Sequence, residues 1–303
     1  MKKILIAYYS QSGQIKEILD QYLIPFRDDA GFELFYHQIK PVNDYPFPWD
    51  NQAFFDVFPE SVMETACELE PMPKELIQDY DLIILGMQVW YLSPSIPISS
   101  FLQSDDFKSL AKGTNIVSIN GCRNMWFMAT RSVKEYFKQA GAHHIGHIVL
   151  FDKANNLLSV LTIMYWAYTG KKDKKWGVLP KPGVSDEDIQ HAVVYGHLLK
   201  EYWKKDSLEK LQEAYIQANA VVVLPHMMSM EHKGKRIFKI WTKLVLKKGG
   251  PANPKRQFRL SIFKYYLLFM IYFISPIVTL GFYITYPLFY KRISKNVREY
   301  QRT

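Results

Sequence analysis

The chain has 303 residues, is 48% hydrophobic and 15% aromatic, and carries only 22% charged residues, enough for one large or two small domains with a sizeable core. Two cysteines, Cys67 and Cys122, exclude a disulfide framework and fit a reducing compartment. The net charge of +9 is divided unevenly: residues 1–206 hold 21 Lys/Arg against 25 Asp/Glu, a net of −4, and residues 207–303 hold 17 against 4, a net of +13. That asymmetry implies two regions with different tasks, and no nucleic-acid-binding motif accompanies the basic one.

The amino terminus runs straight into an apolar strand, Ile4 to Tyr9, which leaves no room for a signal peptide. The strand breaks into Ser10-Gln11-Ser12-Gly13-Gln14, and a helical pattern follows through Ile15, Ile18, Leu19, Tyr22 and Leu23. A strand, a hydroxyl-rich turn with one glycine and a helix present free backbone N–H groups and the positive end of a helix dipole to an anion. The turn has no lysine and lacks a three-glycine fingerprint, so it is neither a nucleoside-triphosphate loop nor a dinucleotide loop. It suits a single phosphate monoester. The stretch resembles the FMN phosphate loop of the flavodoxin family, Thr/Ser-x-Thr/Ser-Gly-x-Thr/Ser, with Ser10, Ser12 and Gly13 matching and Ile15 in place of the last hydroxyl residue.

Phe32 to Ile39 is predicted as a second strand, the Pro-rich segment 40–49 as irregular, and 51–70 as one helix ended by Pro71 and Pro73. Asp81 to Gly86 is a continuous apolar run, as in a central parallel strand covered on both faces. The loop after it, Met87-Gln88-Val89-Trp90-Tyr91-Leu92-Ser93-Pro94, resembles the aromatic loop that walls the isoalloxazine ring in flavodoxins and flavodoxin-like quinone reductases. Thr114 to Asn120 is a further strand, and Gly121-Cys122-Arg123-Asn124 stands where that family has its third flavin loop. Arg123 and Asn124 are placed there for the flavin's polar edge or for substrate. A helix over 128–140, a fifth strand over 144–151, an inserted helix over 157–168 and a closing helix capped at Ser185 complete an α/β, doubly wound, flavodoxin-like parallel sheet of order 2-1-3-4-5, whose ligand site lies at the carboxyl ends of the strands. The resemblance implies that FMN is held by Ser10 to Ile15, Gln88 to Leu92 and Asn120 to Asn124.

The expected division is a flavodoxin-like domain over 1–205, with an insertion at about 153–182, and a helical, apolar and basic extension over 206–303. In the extension, 208–223 reads as one helix and 233–248 as a basic amphipathic helix, and 265–290 contains no charged residue. That run exceeds the ~20 residues needed to cross a bilayer. Cationic clusters flank it on both sides, which opposes a single span under the positive-inside preference. A hairpin turning at Ser275-Pro276, covering the site and touching membrane through 258–295, is the favoured expectation; a single span and a buried helical pair are the alternatives. The localisation that follows is cytoplasmic, at the inner face of the membrane.

The start Tyr8-Tyr9-Ser10-Gln11-Ser12-Gly13-Gln14 together with the long extension is similar to the dialkylresorcinol condensing enzymes of the DarA and StlC type, aromatase partners of a ketosynthase. This resemblance implies FMN-dependent oxidation of a 2,5-disubstituted cyclohexane-1,3-dione, a hydrophobic small-molecule substrate, and a homodimer as in many flavodoxin-like enzymes. An NAD(P)H-dependent quinone reductase at the membrane and a membrane-tethered electron-transfer module are the competing functions. Tyr91, Arg123 and His226 are the catalytic candidates, Tyr91 and Arg123 as donors to a substrate oxygen and His226 as an acid/base. His143, His144 and His147 share the right pKa range but fall on a strand, and Cys122 is a small thiol beside the third loop. No cluster has metal-ligand spacing.

Overall fold

The computed structural model describes residues 1–303, all but the side chain of Lys175. Five parallel strands form the central sheet: β1 (Lys2–Tyr8), β2 (Phe32–Gln38), β3 (Leu82–Met87), β6 (Asn115–Cys122) and β7 (His143–Phe151), with a two-stranded hairpin, β4 (Val89–Trp90) and β5 (Ser93–Pro94), inserted after β3. The order β2-β1-β3-β6-β7 is the expected 2-1-3-4-5 once the hairpin is set aside. Alternation along β1 sends Ile4, Ile6 and Tyr8 to one core and Leu5, Ala7 and Tyr9 to the other. The first core is closed by α1 (Gln14–Tyr22), its short continuation α2 (Ile24–Arg27), α9 (Asp186–Lys204) and α10 (Leu211–Gln217). The second lies under α5 (Ile96–Gln103), α6 (Asp105–Ala111) and α7 (Phe127–Gln139).

The helix expected over 51–70 is two short ones, α3 (Asn51–Asp56) and α4 (Phe58–Met63). Pro59 sits in the first turn of the second, where its missing N–H is harmless, whereas inside one long helix it would remove a hydrogen bond. Glu64 ends α4 in the left-handed region, with φ 56°. The stretch expected as helix over 208–223 stops at α10, and Val221 then bridges in parallel to Val149 on the β7 edge.

The inserted helix is α8 (Asn156–Thr169), and the extension continues as α11 (Pro225–Leu246) and α12 (Gln257–Phe269). The hairpin expected at Ser275-Pro276 does not form. A π-helical turn, Met270–Ile274, carries α12 directly into α13 (Ser275–Gln301). Pro276 supplies no N–H to the preceding turn, and the wider π turn re-spaces the backbone pairing without ending the helix.

The extension shares a core with α3 and α4: Phe55, Phe58 and Val62 pack with Val245, Leu260 and Phe263. Arg256, one of the cations that precede the uncharged run, is 0% exposed. Its Nε donates to Asp56 Oδ1 at 2.7 Å, and its Nη1 and Nη2 donate to Glu60 Oε1 and Oε2 at 2.8 and 3.1 Å.

Candidate functional site

The carboxyl ends of β1, β3 and β6 bring together the three loops singled out in the sequence. Gly13 caps α1 with φ 87°, a left-handed conformation that glycine adopts without strain. The amides of Gln14 and Ile15 in the first turn of α1 have no intrahelical carbonyl to bond, so they remain available to an anion. Ser10 Oγ accepts from Lys16 N at 3.4 Å.

Three side chains of this loop are committed elsewhere. Gln11 Nε2 donates to Pro46 O at 2.9 Å. Gln14 pairs with the backbone of Val184, its Oε1 accepting at 3.2 Å and its Nε2 donating at 3.4 Å. Ile15 is buried, and its side chain fills the space that a Cβ on Gly86 or Gly121 would need. The departure from the hydroxyl pattern at Ile15 is therefore a packing choice: the residue locks α1 onto two glycine-bearing strands and can offer a phosphate only its backbone N–H. Hydroxyl donors come from Ser10 and Ser12.

In the second loop Trp90 meets Tyr9, Tyr45 and Trp49 edge-on, with ring centroids 5.9, 5.0 and 5.5 Å away. Tyr91 and Leu92 turn the hairpin with φ 46° and 63°, a left-handed pair of non-glycine residues that costs about 1–3 kcal/mol each unless the surroundings hold it. Two contacts hold it: Tyr91 OH donates to Phe54 O at 2.6 Å, and the buried Lys235 Nζ donates to Leu92 O at 3.2 Å and to Ser93 Oγ.

The third loop is tied to the insertion. Arg123 Nη2 and Asn124 Nδ2 both donate to Asn156 Oδ1, at 3.0 and 2.8 Å. Cys122 lies in an apolar cluster with Trp126, Phe127 and Val149, and burial pushes its thiol well above the usual range, so it stays a neutral packing group. Among the described residues, Asn120 Nδ2 and Oδ1, Gln88 Nε2 and Asn124 Oδ1 are buried without a hydrogen-bond partner. Buried polar atoms are rarely left orphaned. This set of donors and acceptors at the sheet edge fits the alternating polar edge of a flavin ring, and the uncharged loop at Ser10 to Gln14 fits its phosphate.

Beside these loops lies a cavity of about 450 Å³. Val89, Tyr91, Leu92, Arg123 and Met125 form its wall on the sheet side, Val160, Ile163 and Met164 of α8 another, and α11, the α12–α13 segment and Phe54 and Phe55 of α3 the rest. Arg123 faces it with no carboxylate within ion-pair distance among the described residues. Burial lowers the guanidinium pKa to about 10, opposed by the charge of Asp152, and the group stays cationic at neutral pH.

The structure thus brings Tyr91 and Arg123 to one cavity and leaves His226 outside it. His226 precedes Met230 by one turn on the α11 stripe, but its ring packs against Phe282 and Tyr283, and its Nδ1 lies 3.3 Å from Tyr283 OH. Its burial lowers the imidazole pKa. His144 and His147 flank Ser118 Oγ at 2.9 and 3.1 Å, within the sheet and away from its carboxyl edge. His143 begins β7 at the opposite end.

Sequence reasoning missed the groups that fasten the extension to the site. Glu231 is 0% exposed and caps α7 from another part of the chain, accepting from Phe127 N at 3.2 Å and Met128 N at 2.7 Å. A signal existed: Glu231 is the single acidic residue between Glu213 and Glu299. One turn on, the Lys235 ammonium lies 3.9 Å from the Glu64 carboxylate.

Burial raises the Glu231 carboxyl from 4.5 to about 8, against its two amide donors and Lys235. Burial lowers the Lys235 ammonium from 10.5 to about 8, with Glu64 opposing. Between about pH 4.5 and 8 the folded state holds more protons at Glu231, so its contribution to stability falls as pH rises. Between about 8 and 10.5 the unfolded state holds more protons at Lys235, so its contribution rises with pH. Thermal unfolding across pH is expected to show Glu231→Gln removing the first slope while leaving the second. An unchanged lower-pH slope would count against the buried carboxyl.

No protein-family model and no curated protein matches the sequence. Among solved structures, the chain is similar to a flavoprotein from Lactobacillus acidophilus NCFM in complex with FMN, at 22% identity over 49% of this chain and 93% of that one, with a TM-score of 0.40. It is also similar to a flavoprotein from Bacteroides eggerthii, at 16% identity over 55% and 99% and a TM-score of 0.38. For the azoreductase AzrA the values are 9% identity over 63% and 99%, with a TM-score of 0.33.

Proposed function

We propose that the chain is an FMN-dependent oxidoreductase acting on a hydrophobic substrate with an acidic oxygen, and that its reaction is the oxidation of a 2,5-disubstituted cyclohexane-1,3-dione to the corresponding resorcinol. The observation that carries this reading is the apolar cavity sharing its wall with the second and third loops and lined there by the half-buried Arg123, with the exposed Lys233 on its α11 side. A sheet of this topology binds its ligand at this edge, and the unpaired polar atoms Gln88 Nε2, Asn120 Nδ2 and Oδ1, and Asn124 Oδ1 support a flavin there.

Bound FMN supplies a two-electron acceptor for a hydride from the substrate ring. The protein's part is binding, charge and exclusion of water. A 1,3-dione is a vinylogous acid whose enolate spreads its charge over two oxygens. Arg123, held by Asn156, offers a fixed donor to one of them, and in an apolar wall that charge-assisted bond is far stronger than in water. Tyr91 shapes the cavity with its ring while its hydroxyl is held by Phe54 O. The side chains of α8 and α11 take up the alkyl groups. Loss of the hydride and of a neighbouring ring proton balances the conversion of dione to aromatic ring, with two hydrogens leaving in all. A ketosynthase reaction is the class of step that would supply such a ring, and a ketosynthase is the partner this chemistry implies.

The test is to mix FMN-loaded protein with a dialkyl cyclohexane-1,3-dione under air and follow the resorcinol by mass. Product is expected without NAD(P)H. Turnover of a quinone driven by NAD(P)H, with no resorcinol formed, would replace this reading by a reductase; flavin reduction achieved only by a partner protein would make the chain an electron carrier. Arg123→Met is expected to retain FMN and lose on the order of 30-fold or more in kcat/KM, as for about 2 kcal/mol of a buried charged contact. Unchanged kinetics would remove Arg123 from the substrate site.

A further inference from the structure

The wall closing the cavity on its far side is one helix thick. Met270, Ile271, Ile274 and Val278 face inward and line the cavity, while Phe273, Ile277, Leu280, Ile284 and Leu288 on the same helix are 64%, 66%, 63%, 69% and 81% exposed. A contiguous apolar stripe of this size on a protein surface marks an interaction face. Uncharged sequence runs from Tyr265 to Tyr290, roughly 40 Å of helix at ~1.5 Å per residue. Lys264 precedes it and Lys291, Arg292 and Lys295 follow.

Length alone would allow the helix to cross a bilayer, but both of its ends are fastened to the same globular body. At one end Arg256 is buried against Asp56 and Glu60. At the other, Gln301 Nε2 donates to Val221 O at 3.4 Å, and Tyr300 OH lies 3.0 Å from His232 Nε2. The two cationic clusters therefore lie on the protein's side of the stripe. A helix with an apolar outer face, cations at both ends and tyrosines where the uncharged run begins and stops is built to lie in the interface of an anionic bilayer.

We infer that the segment 258–295 is an in-plane membrane contact, and that the helix separating bilayer from cavity is the route by which a lipid-dissolved substrate enters. The route, though not the contact, rests on the function proposed above. A membrane occupant is favoured over a second copy of the chain because the stripe is bracketed by like charges, which repel across a two-fold contact and attract anionic headgroups.

The experiment is flotation of the purified full chain with extruded vesicles of phosphatidylcholine, with and without phosphatidylglycerol. The full chain is expected to float with the anionic vesicles, less at high salt, and less with phosphatidylcholine alone. Phe273→Ser with Ile277→Ser and Leu280→Ser, all surface positions, is expected to lower partitioning roughly tenfold or more while FMN content and oxidation of detergent-dispersed substrate stay unchanged. A full chain that stays in the soluble fraction at every composition overturns the contact. So does a dimer that the triple variant abolishes while vesicle binding is absent. Failure to oxidise the dispersed substrate, with flotation intact, would instead refute the proposed function and leave the contact standing.

Discussion

Arg256→Met is expected to destabilise the protein by about 3–5 kcal/mol, the range for breaking a buried ion pair and leaving its partners uncompensated. The guanidinium is fully buried and engages both Asp56 and Glu60. The damage is expected first at the extension, because this contact fixes the start of α12 against α3 and α4. Local unfolding there would open the cavity wall formed by Leu267, Leu268, Met270 and Ile271. Hydrogen exchange is the suitable measurement: early loss of protection in α12 and α13, with the sheet still protected, is the expected pattern. Uniform loss across the chain would show that the extension and the sheet unfold as one unit.

Gly196→Ala is expected to cost about 3 kcal/mol or more, at the upper end for overpacking. A Cβ at this position would lie 1.9 Å from the Tyr22 carbonyl oxygen, and a backbone atom cannot step aside as a side-chain tip can. The helices α1 and α9 would have to separate. Because α1 begins at the phosphate loop and Gln14 is tied to Val184 just before α9, the displacement is expected to weaken FMN binding as well as lower Tm. Unchanged stability would mean that the two helices are less closely braced than the structure has them.

The sheet was legible in the sequence because its strands are short apolar runs ended by turn residues, a signal that depends on local pattern alone. The three loops followed from that, since parallel topology determines where their ends meet. Boundaries failed where one residue changed the backbone's options: Pro59 split a helix, and Pro276, taken as a turn, was absorbed by a π turn. Side-chain destinations were the least legible. Ile15 read as a missing hydroxyl, yet it is the residue that two strand glycines make room for. His226 lay on the correct helix, but the residues covering its ring, Phe282 and Tyr283, come more than fifty positions later. Glu231, Lys235 and Arg256 all act across 100 residues or more, and no spacing rule within one helix reveals such a partner.

Everything proposed about chemistry depends on a flavin seated at Ser10 to Gln14, and titration of flavin-free protein with FMN, followed by quenching of flavin fluorescence, tests that most directly. One FMN per chain is expected, with Ser10→Ala and Ser12→Ala together weakening affinity by at least about 100-fold, as two charge-assisted hydrogen bonds of roughly 1.5 kcal/mol each would require. Absence of FMN binding by the unaltered chain, or equal affinity in the double variant, would contradict the assignment.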